Sequence, residues 1–321
     1  MNDRNCFEGM NLPNGVTKIE AYAKINTYLE VLERRADGYH ELCSHMQLIS
    51  LCDTLTVSMQ SEMSDAFSLT LSLSCDRSEI PTGEDNLILR AARAYFSAID
   101  PAYGKIRIDF ALQKNIPMQG GLAGGSADAA AALIAINRLC GEPLTESALC
   151  DLGVRLGADI PFCIRGRSGA QTARGIGEQM TPAPGLPSSL TLLVVLPGTA
   201  VSTPAAFCLL DERYGQADVE MRRCENEERY AVHLSALERG CMAALAKSSF
   251  NRFEEAVFAL QPTTREVFDL VGKLDADFVR MSGSGPTIVG GFVDAAKAIQ
   301  AKEALAQKGY ISYLCHGCSF A

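Results

Sequence analysis

No uninterrupted apolar run in the chain reaches the roughly eighteen residues that a membrane-spanning helix needs. The stretch from Met1 to Gly15 carries acidic residues and several Asn but neither a basic n-region nor an apolar core, so it does not read as a secretory signal. The expectation is a soluble, cytoplasmic protein. A Lys/Arg-rich run is also missing, and a net charge of −9 argues against a nucleic-acid duplex or a membrane surface as partner. Twelve cysteines over 321 residues are too dilute for a disulfide framework; Cys43, Cys52, Cys140, Cys150 and Cys163 stand in apolar runs, as reduced core thiols do. The one C-x-x-C, Cys315 to Cys318 with His316 inside it, has no second pair at zinc-site spacing, which leaves a terminal strand as the simpler reading. Internal repeats and low-complexity tracts are absent.

The composition is that of an ordinary globular protein, 47% hydrophobic and 21% charged. A chain of 321 residues exceeds the size at which one core keeps growing, so two domains are expected. Pro182 to Pro187 holds three prolines and a glycine and marks the break, giving domains 1–186 and 187–321. Ala21 to Leu32 alternates, with Tyr22, Lys24, Asn26, Tyr28 and Glu30 on one face, and predicts a half-buried strand. His45 to Met59, Phe67 to Leu73 and Ile106 to Leu112 alternate likewise, and Asn86 to Ile99 has helical spacing. Ser126 to Cys140 is apolar nearly all round and stops at Gly141, which predicts a buried helix. A helix over Glu146 to Leu156 and a strand pair in Gly166 to Met180 complete the first domain. In the second, Thr191 to Leu196 reads as a buried strand, Glu227 to Lys247, Asn251 to Ala259 and Ala295 to Lys308 as helices, and Arg280 to Phe292 as two short strands around a glycine turn. The fold class is α+β.

The strongest chemical signal is the segment from Pro117 to Ser126, four glycines in ten residues leading straight into the predicted buried helix. Glycines let backbone N–H groups approach an anion, and a helix N-terminus adds unpaired donors and the positive end of its dipole, so the pair makes a phosphate cradle. The same pattern also serves a plain close-packed turn. It is neither the GxxxxGK[ST] nor the GxGxxG motif. Asp159 follows Leu156-Gly-Ala and precedes Ile160-Pro161, where a carboxylate needs a partner. Lys24, a lone lysine in an apolar strand, is the candidate. Beside a triphosphate, such an Asp accepts a hydroxyl proton while the Lys orients the acceptor and neutralises charge. Taken without context, a solvated strand lysine and a turn-capping aspartate are the simpler, structural reading of the pair.

Four stretches, AYAKINTYLEVLERRADGYHEL, IPMQGGLAGGSADAAAAL, LGADIPF and MSGSGPT, occur in the order and at the separations of a known family. Over about residues 17 to 292 the chain resembles the 4-diphosphocytidyl-2-C-methyl-D-erythritol kinases of the GHMP kinase superfamily. The first stretch is the most specific, because homoserine, mevalonate and galactose kinases share only the glycine loop and the late Gly-Ser-Gly loop. The resemblance implies the two-domain GHMP kinase fold, a ribosomal protein S5 domain 2-like N-terminal domain followed by a ferredoxin-like C-terminal one. It implies ATP-dependent phosphorylation, with Mg²⁺, of the C2 hydroxyl of a cytidine diphosphate derivative of methylerythritol in the non-mevalonate route to isoprenoid precursors. Lys24 and Asp159 fall on the catalytic positions. Pro117, Met118, Gln119, Gly120, Gly121, Leu122, Ala123, Gly124, Gly125, Ser126 and Ala127 fall on the ATP-phosphate loop, and Asn86 and Leu87 lie near the nucleotide. Asn26, Tyr39 and His40 face the cytidine, and Ser282 to Gly285 match a loop that closes over the site. The metal ligands are not named by the resemblance, and the assembly it implies is a monomer or homodimer.

Two positions depart from the family's GLGGGSSDAA. Ala123 replaces a glycine, adding a Cβ that strains the loop by roughly 1 kcal/mol if φ is positive there. Ala127 replaces the second serine and removes a hydroxyl, leaving Ser126 for phosphate or metal. Asp128, in the first helical turn, either favours the dipole or holds magnesium through water, the structural role being the more economical. The rivals are a GHMP-type kinase of another small alcohol and a nucleotide-sensing protein without catalysis.

Overall fold

The structure is a computed structural model and describes residues 14–101, 104–118, 120–215 and 218–318. Two long strands open it, β1 (Gly15–Arg34) and β2 (His40–Glu62), joined through Gly38 at φ +88°. Next come β3 (Ser68–Cys75), α1 (Leu87–Ile99), β4 (Lys105–Gln113), α2 (Gly124–Leu139), α3 (Glu146–Val154), α4 (Ile160–Arg165), β5 (Gln171–Gly175) and β6 (Gln179–Pro182). After irregular residues 183–190 the chain continues through β7 (Thr191–Leu196), α5 (Thr203–Tyr214), α6 (Val219–Glu238), α7 (Met242–Ser248), β8 (Phe250–Asn251) and α8 (Phe253–Leu260). It ends with α9 (Pro262–Gly272), β9 (Phe278–Met281), β10 (Ile288–Phe292), α10 (Ala295–Gln307) and β11 (Ile311–Cys315).

Two compact units result, each gathered from three segments. The first takes the described residues up to Tyr22, then Cys52–Ile116 and Gly124–Arg165; the second takes Ala23–Leu51, Pro117–Ala123 and everything described from Gly166 on.

In the first unit, β4 runs antiparallel to the end of β2 and parallel to β3. Its alternation sets Leu112, Phe110 and Ile108 opposite Leu55, Val57 and Met59, so one face of the pair is an apolar ladder. Each such side chain contributes about 1.5–3 kcal/mol on burial. Asn86 caps α1, its Oδ1 accepting the Ile88 N–H at 2.9 Å. The alanines of α2 are buried as expected, and their small side chains let α1 and α4 pack closely on it.

In the second unit, β11, β7, β10 and β9 form an antiparallel sheet in that order, the ferredoxin-like arrangement. Leu193, Val195, Ile288 and Phe292 of the sheet share a core with Val267 and Val271 of α9 and Ala298 and Leu305 of α10. The helix expected over Glu227 to Lys247 is two helices. Gly240, at φ +58°, ends the first, with the Cys241 N–H bonded back to Ala236 O at 3.0 Å. Residues 316–318 extend the chain beyond β11 along β2, through Ser50 N–H to His316 O and Cys318 N–H to Leu48 O.

The half-buried reading of β1 also needs correction, because both faces are buried from Ala23 to Leu32. Partners roughly two hundred residues away cover it. Tyr28 donates to Asn226 Oδ1 at 2.9 Å and packs on the Tyr230 ring, and Glu30 is held by Arg252 at 2.7 Å and Arg229 at 3.3 Å. Thr27 Oγ1 lies 2.6 Å from His45 Nδ1 and 2.9 Å from His233 Nε2. His45 Nε2 lies 2.8 Å from Pro184 O, which can only accept, so that nitrogen carries the proton and Nδ1 accepts from Thr27. Burial pushes His45 down to about 4, and pushes His233 down to about 3 with help from the charge of its neighbours.

Candidate active site

Lys24 is buried on β1, and its backbone N–H donates to Leu122 O at 3.1 Å, tying the strand to the glycine loop. Its Nζ donates to Asn26 Oδ1 at 2.8 Å. Asn26 Nδ2 donates to Ser44 Oγ at 2.7 Å, and that hydroxyl donates to Tyr28 O at 2.8 Å. Asn26 thus supports Lys24, with both ends of its amide in use.

Two glycines of the loop beside Lys24 leave no room for a side chain. A Cβ on Gly120 would lie 2.7 Å from Thr287 Oγ1, and one on Gly121 would lie 2.3 Å from Ser282 O. Gly121 has φ +71°, in the region that favours glycine, and Ser282 Oγ donates to Gly121 O at 3.0 Å. The expected strain at Ala123 is present, with φ +56°. Pro117 and half-exposed Met118 lead into the loop, while Gln119 lies outside the described residues.

In the first unit the loop becomes the N-terminus of α2. Gly124, Gly125 and Ser126 form its first turn and Ala127 is buried behind them. A Cβ on Gly125 would be 3.6 Å from Leu87 Cδ1, so the residue after the Asn86 cap packs on this turn. A Cβ on Gly157 would be 3.7 Å from Ser126 Oγ, two residues short of Asp159. Asp159 is half-buried and opens α4, a helix absent from the sequence reading, its carbonyl accepting the Cys163 N–H at 3.0 Å. The apolar Ile160-Pro-Phe run is the buried side of that helix.

A buried ionic cluster that sequence reasoning missed braces the base of the loop. Lys114 Nζ donates to Asp128 Oδ2 at 2.6 Å and to Asp53 Oδ2, and Asp53 Oδ1 accepts the N–H groups of Asn115 and Ile116 at 2.6 and 2.7 Å. One lysine thus joins the residues before the loop to the first turn of α2. Asp128 takes the structural role. Burial pushes its carboxyl up to about 7 against the pull of Lys114; for Lys114, burial works against the charge, but Asp128 and Asp53 outweigh it and raise its pKa. The only advance signal was the spacing of Lys114 and Asp128 around the loop.

His40 and Tyr39 stand at the start of β2. The His40 ring stacks on Phe207 of α5, with centroids 4.3 Å apart at 16°, and Nε2 lies 2.8 Å from Asp211 Oδ1. Asp211 fixes the ring's orientation, and the Tyr39 ring is 59% exposed beside it. Phe207 and Asp211 also went unread. Ser202-Thr-Pro, with Ser202 Oγ accepting the Ala205 N–H, is a helix-start signature that would have found α5.

Residues 86–167 match the family described as GHMP kinases N terminal domain and residues 234–311 the one described as GHMP kinases C terminal, so the chain belongs to the GHMP kinases. GHMP kinases use ATP. Among its relatives is the 4-diphosphocytidyl-2-C-methyl-D-erythritol kinase of Synechococcus elongatus, 37% identical over 84% of both chains. The protein of that name from Moorella thermoacetica is 38% identical over 88% of this chain and 92% of its own. A solved 4-(cytidine 5'-diphospho)-2C-methyl-D-erythritol kinase covers 94% of this chain and 100% of its own at a TM-score of 0.70 and 32% identity. Homoserine kinase from Cytophaga hutchinsonii superposes with a TM-score of 0.73 at 17% identity over 97% of this chain and 96% of its own, a likeness of fold alone. Among the described residues no helix is long and apolar enough to cross a membrane.

Proposed function

We propose that the chain transfers the γ-phosphoryl group of ATP to the C2 hydroxyl of 4-diphosphocytidyl-2-C-methyl-D-erythritol, in the non-mevalonate route to isoprenoid precursors. The observation that carries this reading is Lys24, buried, anchored by Asn26 and bonded through its backbone to the glycine loop, in a chain whose relatives bear that kinase's name. Asp159 accepts the hydroxyl proton, and Lys24 orients the acceptor and offsets charge on the transferred group. The backbone N–H groups from Gly120 to Ser126 and the dipole of α2 hold the phosphates. The His40–Phe207 stack, oriented by Asp211, and the open Tyr39 ring receive the cytosine, a stacked ring being worth about 1–3 kcal/mol.

Mg²⁺ suits this donor set. The Ser126 hydroxyl, in the first turn of α2, is a hard oxygen ligand that would hold the ion together with the nucleotide oxygens. When bound, the ion neutralises charge on the phosphates. The division 1–186 and 187–321 belongs to the same reading as a division of the sequence, one family match lying on each side of it, while the compact units interleave across it.

The test is ATP consumption with the cytidine substrate, homoserine or mevalonate as acceptor, beside an Asp159→Ala control. Turnover with the cytidine substrate alone, reduced by about 10² or more in the control, is the expected result. Equal turnover with homoserine or mevalonate would replace the substrate assigned here, and an unchanged control would remove Asp159 as base.

A further inference from the structure

Asn251 belongs to neither glycine loop, yet its side chain holds one of them. It ends β8, which runs parallel to Tyr28 and Leu29 of β1, the strand that carries Lys24. The side chain is 2% exposed and uses both donors and its acceptor. Nδ2 donates to Met281 O at 2.7 Å and to Gly283 O at 2.8 Å, while Oδ1 accepts the Phe253 N–H at 2.9 Å. The two carbonyls flank Ser282, so one planar amide fixes both arms of the turn. Glu254, one turn of backbone further on, accepts the Met281 N–H at 2.9 Å and closes the grip.

The held turn presses on the candidate active site. Ser282 Oγ donates to Gly121 O at 3.0 Å. At Gly283, with φ +57°, a Cβ would lie 3.1 Å from Gly121 O and 3.5 Å from Lys24 Nζ. The Ser282–Gly121 hydrogen bond thus couples the turn to the phosphate loop, and Gly283 leaves no space for a side chain between the turn, Gly121 O and Lys24. The bond from the Phe253 N–H requires only a side-chain oxygen, which Ser, Thr or Asp would also provide. The two amide hydrogens aimed at the turn are what single out Asn.

We propose that Asn251 is a positioning residue for phosphoryl transfer, acting through the Met281–Gly283 turn to set the Gly121 carbonyl and the Lys24 ammonium. It rests on the reading given under Proposed function. Asn251→Ser keeps an oxygen in place for the helix start and gives up the two-pronged grip. Its melting temperature should stay within a few degrees of the unsubstituted protein's, with kcat about tenfold lower or more and the KM for the cytidine substrate unchanged, because the His40 stack is untouched. Asn251→Asp keeps the shape but turns carboxylate oxygen toward two carbonyls. Its activity should recover as pH falls and the acid gains a proton to donate, a rise the unsubstituted protein does not share.

A folded Asn251→Ser enzyme with kcat within about twofold of the original would overturn the proposal. So would activity lost only in proportion to unfolded protein in both variants, with no pH recovery in Asn251→Asp. If the unsubstituted protein leaves the cytidine substrate untouched, the substrate reading fails. Affinity for a fluorescent ATP analogue, measured without acceptor, then decides Asn251 separately: about tenfold weaker binding in Asn251→Ser sustains it, and equal binding rejects it.

Discussion

Ala123→Gly should stabilise the protein. At φ +56° the alanine Cβ crowds its own following carbonyl, which costs an L-residue about 1–2 kcal/mol. Glycine removes that crowding but frees the unfolded chain by about 0.4–1 kcal/mol. The difference runs from about zero to 1.6 kcal/mol in favour of glycine, with a midpoint near 0.8. For a chain of this size that raises the melting temperature by roughly 1–3 °C. Calorimetry on both proteins without nucleotide measures it, and Ala123→Val, which puts a branched side chain at the same angle, gives the opposite sign as an internal control. A glycine variant that melts lower than the original, with the valine variant unchanged, would refute left-handed strain at this position.

Gly121→Ala should act in the other direction, since its new Cβ would sit 2.3 Å from Ser282 O; steady-state kinetics should find kcat/KM for ATP down by about a hundredfold, and normal kinetics would mean the two loops are not pressed together. Lys114→Met strands Asp53 and Asp128 in the interior and should cost about 3–5 kcal/mol in urea melts, a loss that shrinks as acid protonates the carboxylates; an unchanged midpoint would deny the cluster its bracing role. His45 is held at about 4 in the folded chain against 6.5 when free, so protons favour the unfolded state. Its contribution is whole above pH 6.5 and is lost as pH falls toward 4, by roughly 3 kcal/mol. His45→Gln should flatten that slope, and an equal slope in the variant would assign the acid loss elsewhere.

The elements legible in the sequence are those whose burial is decided locally. The strands β4 and β7 and the helices α2 and α10 announce themselves by strict alternation or by composition, because one neighbouring layer decides which side chains are inside. β1 does not. Its Lys24, Asn26, Tyr28 and Glu30 have the look of a solvent face, and partners far along the chain, Asn226 and Tyr230 at Tyr28 and Arg229 and Arg252 at Glu30, help turn that face into an interior. The site divides the same way. The glycine segment and Lys24 stood out by residue type, whereas Lys114 with Asp53, Phe207 with His40, and Asn251 with Gly283 gain their meaning from contacts no spacing rule reports.

Each compact unit is drawn from three stretches of chain, with β1 and β2 both crossing from one unit to the other. No single cut therefore frees either unit as a continuous polypeptide. A fragment ending near residue 165 would lack the later segment of the second unit, and one starting at 166 would lack its first two. Expressing either half for separate study calls for a rearranged gene with new connections, not a truncation. The same interleaving means that fusion at a single point cannot carry either unit whole into another chain.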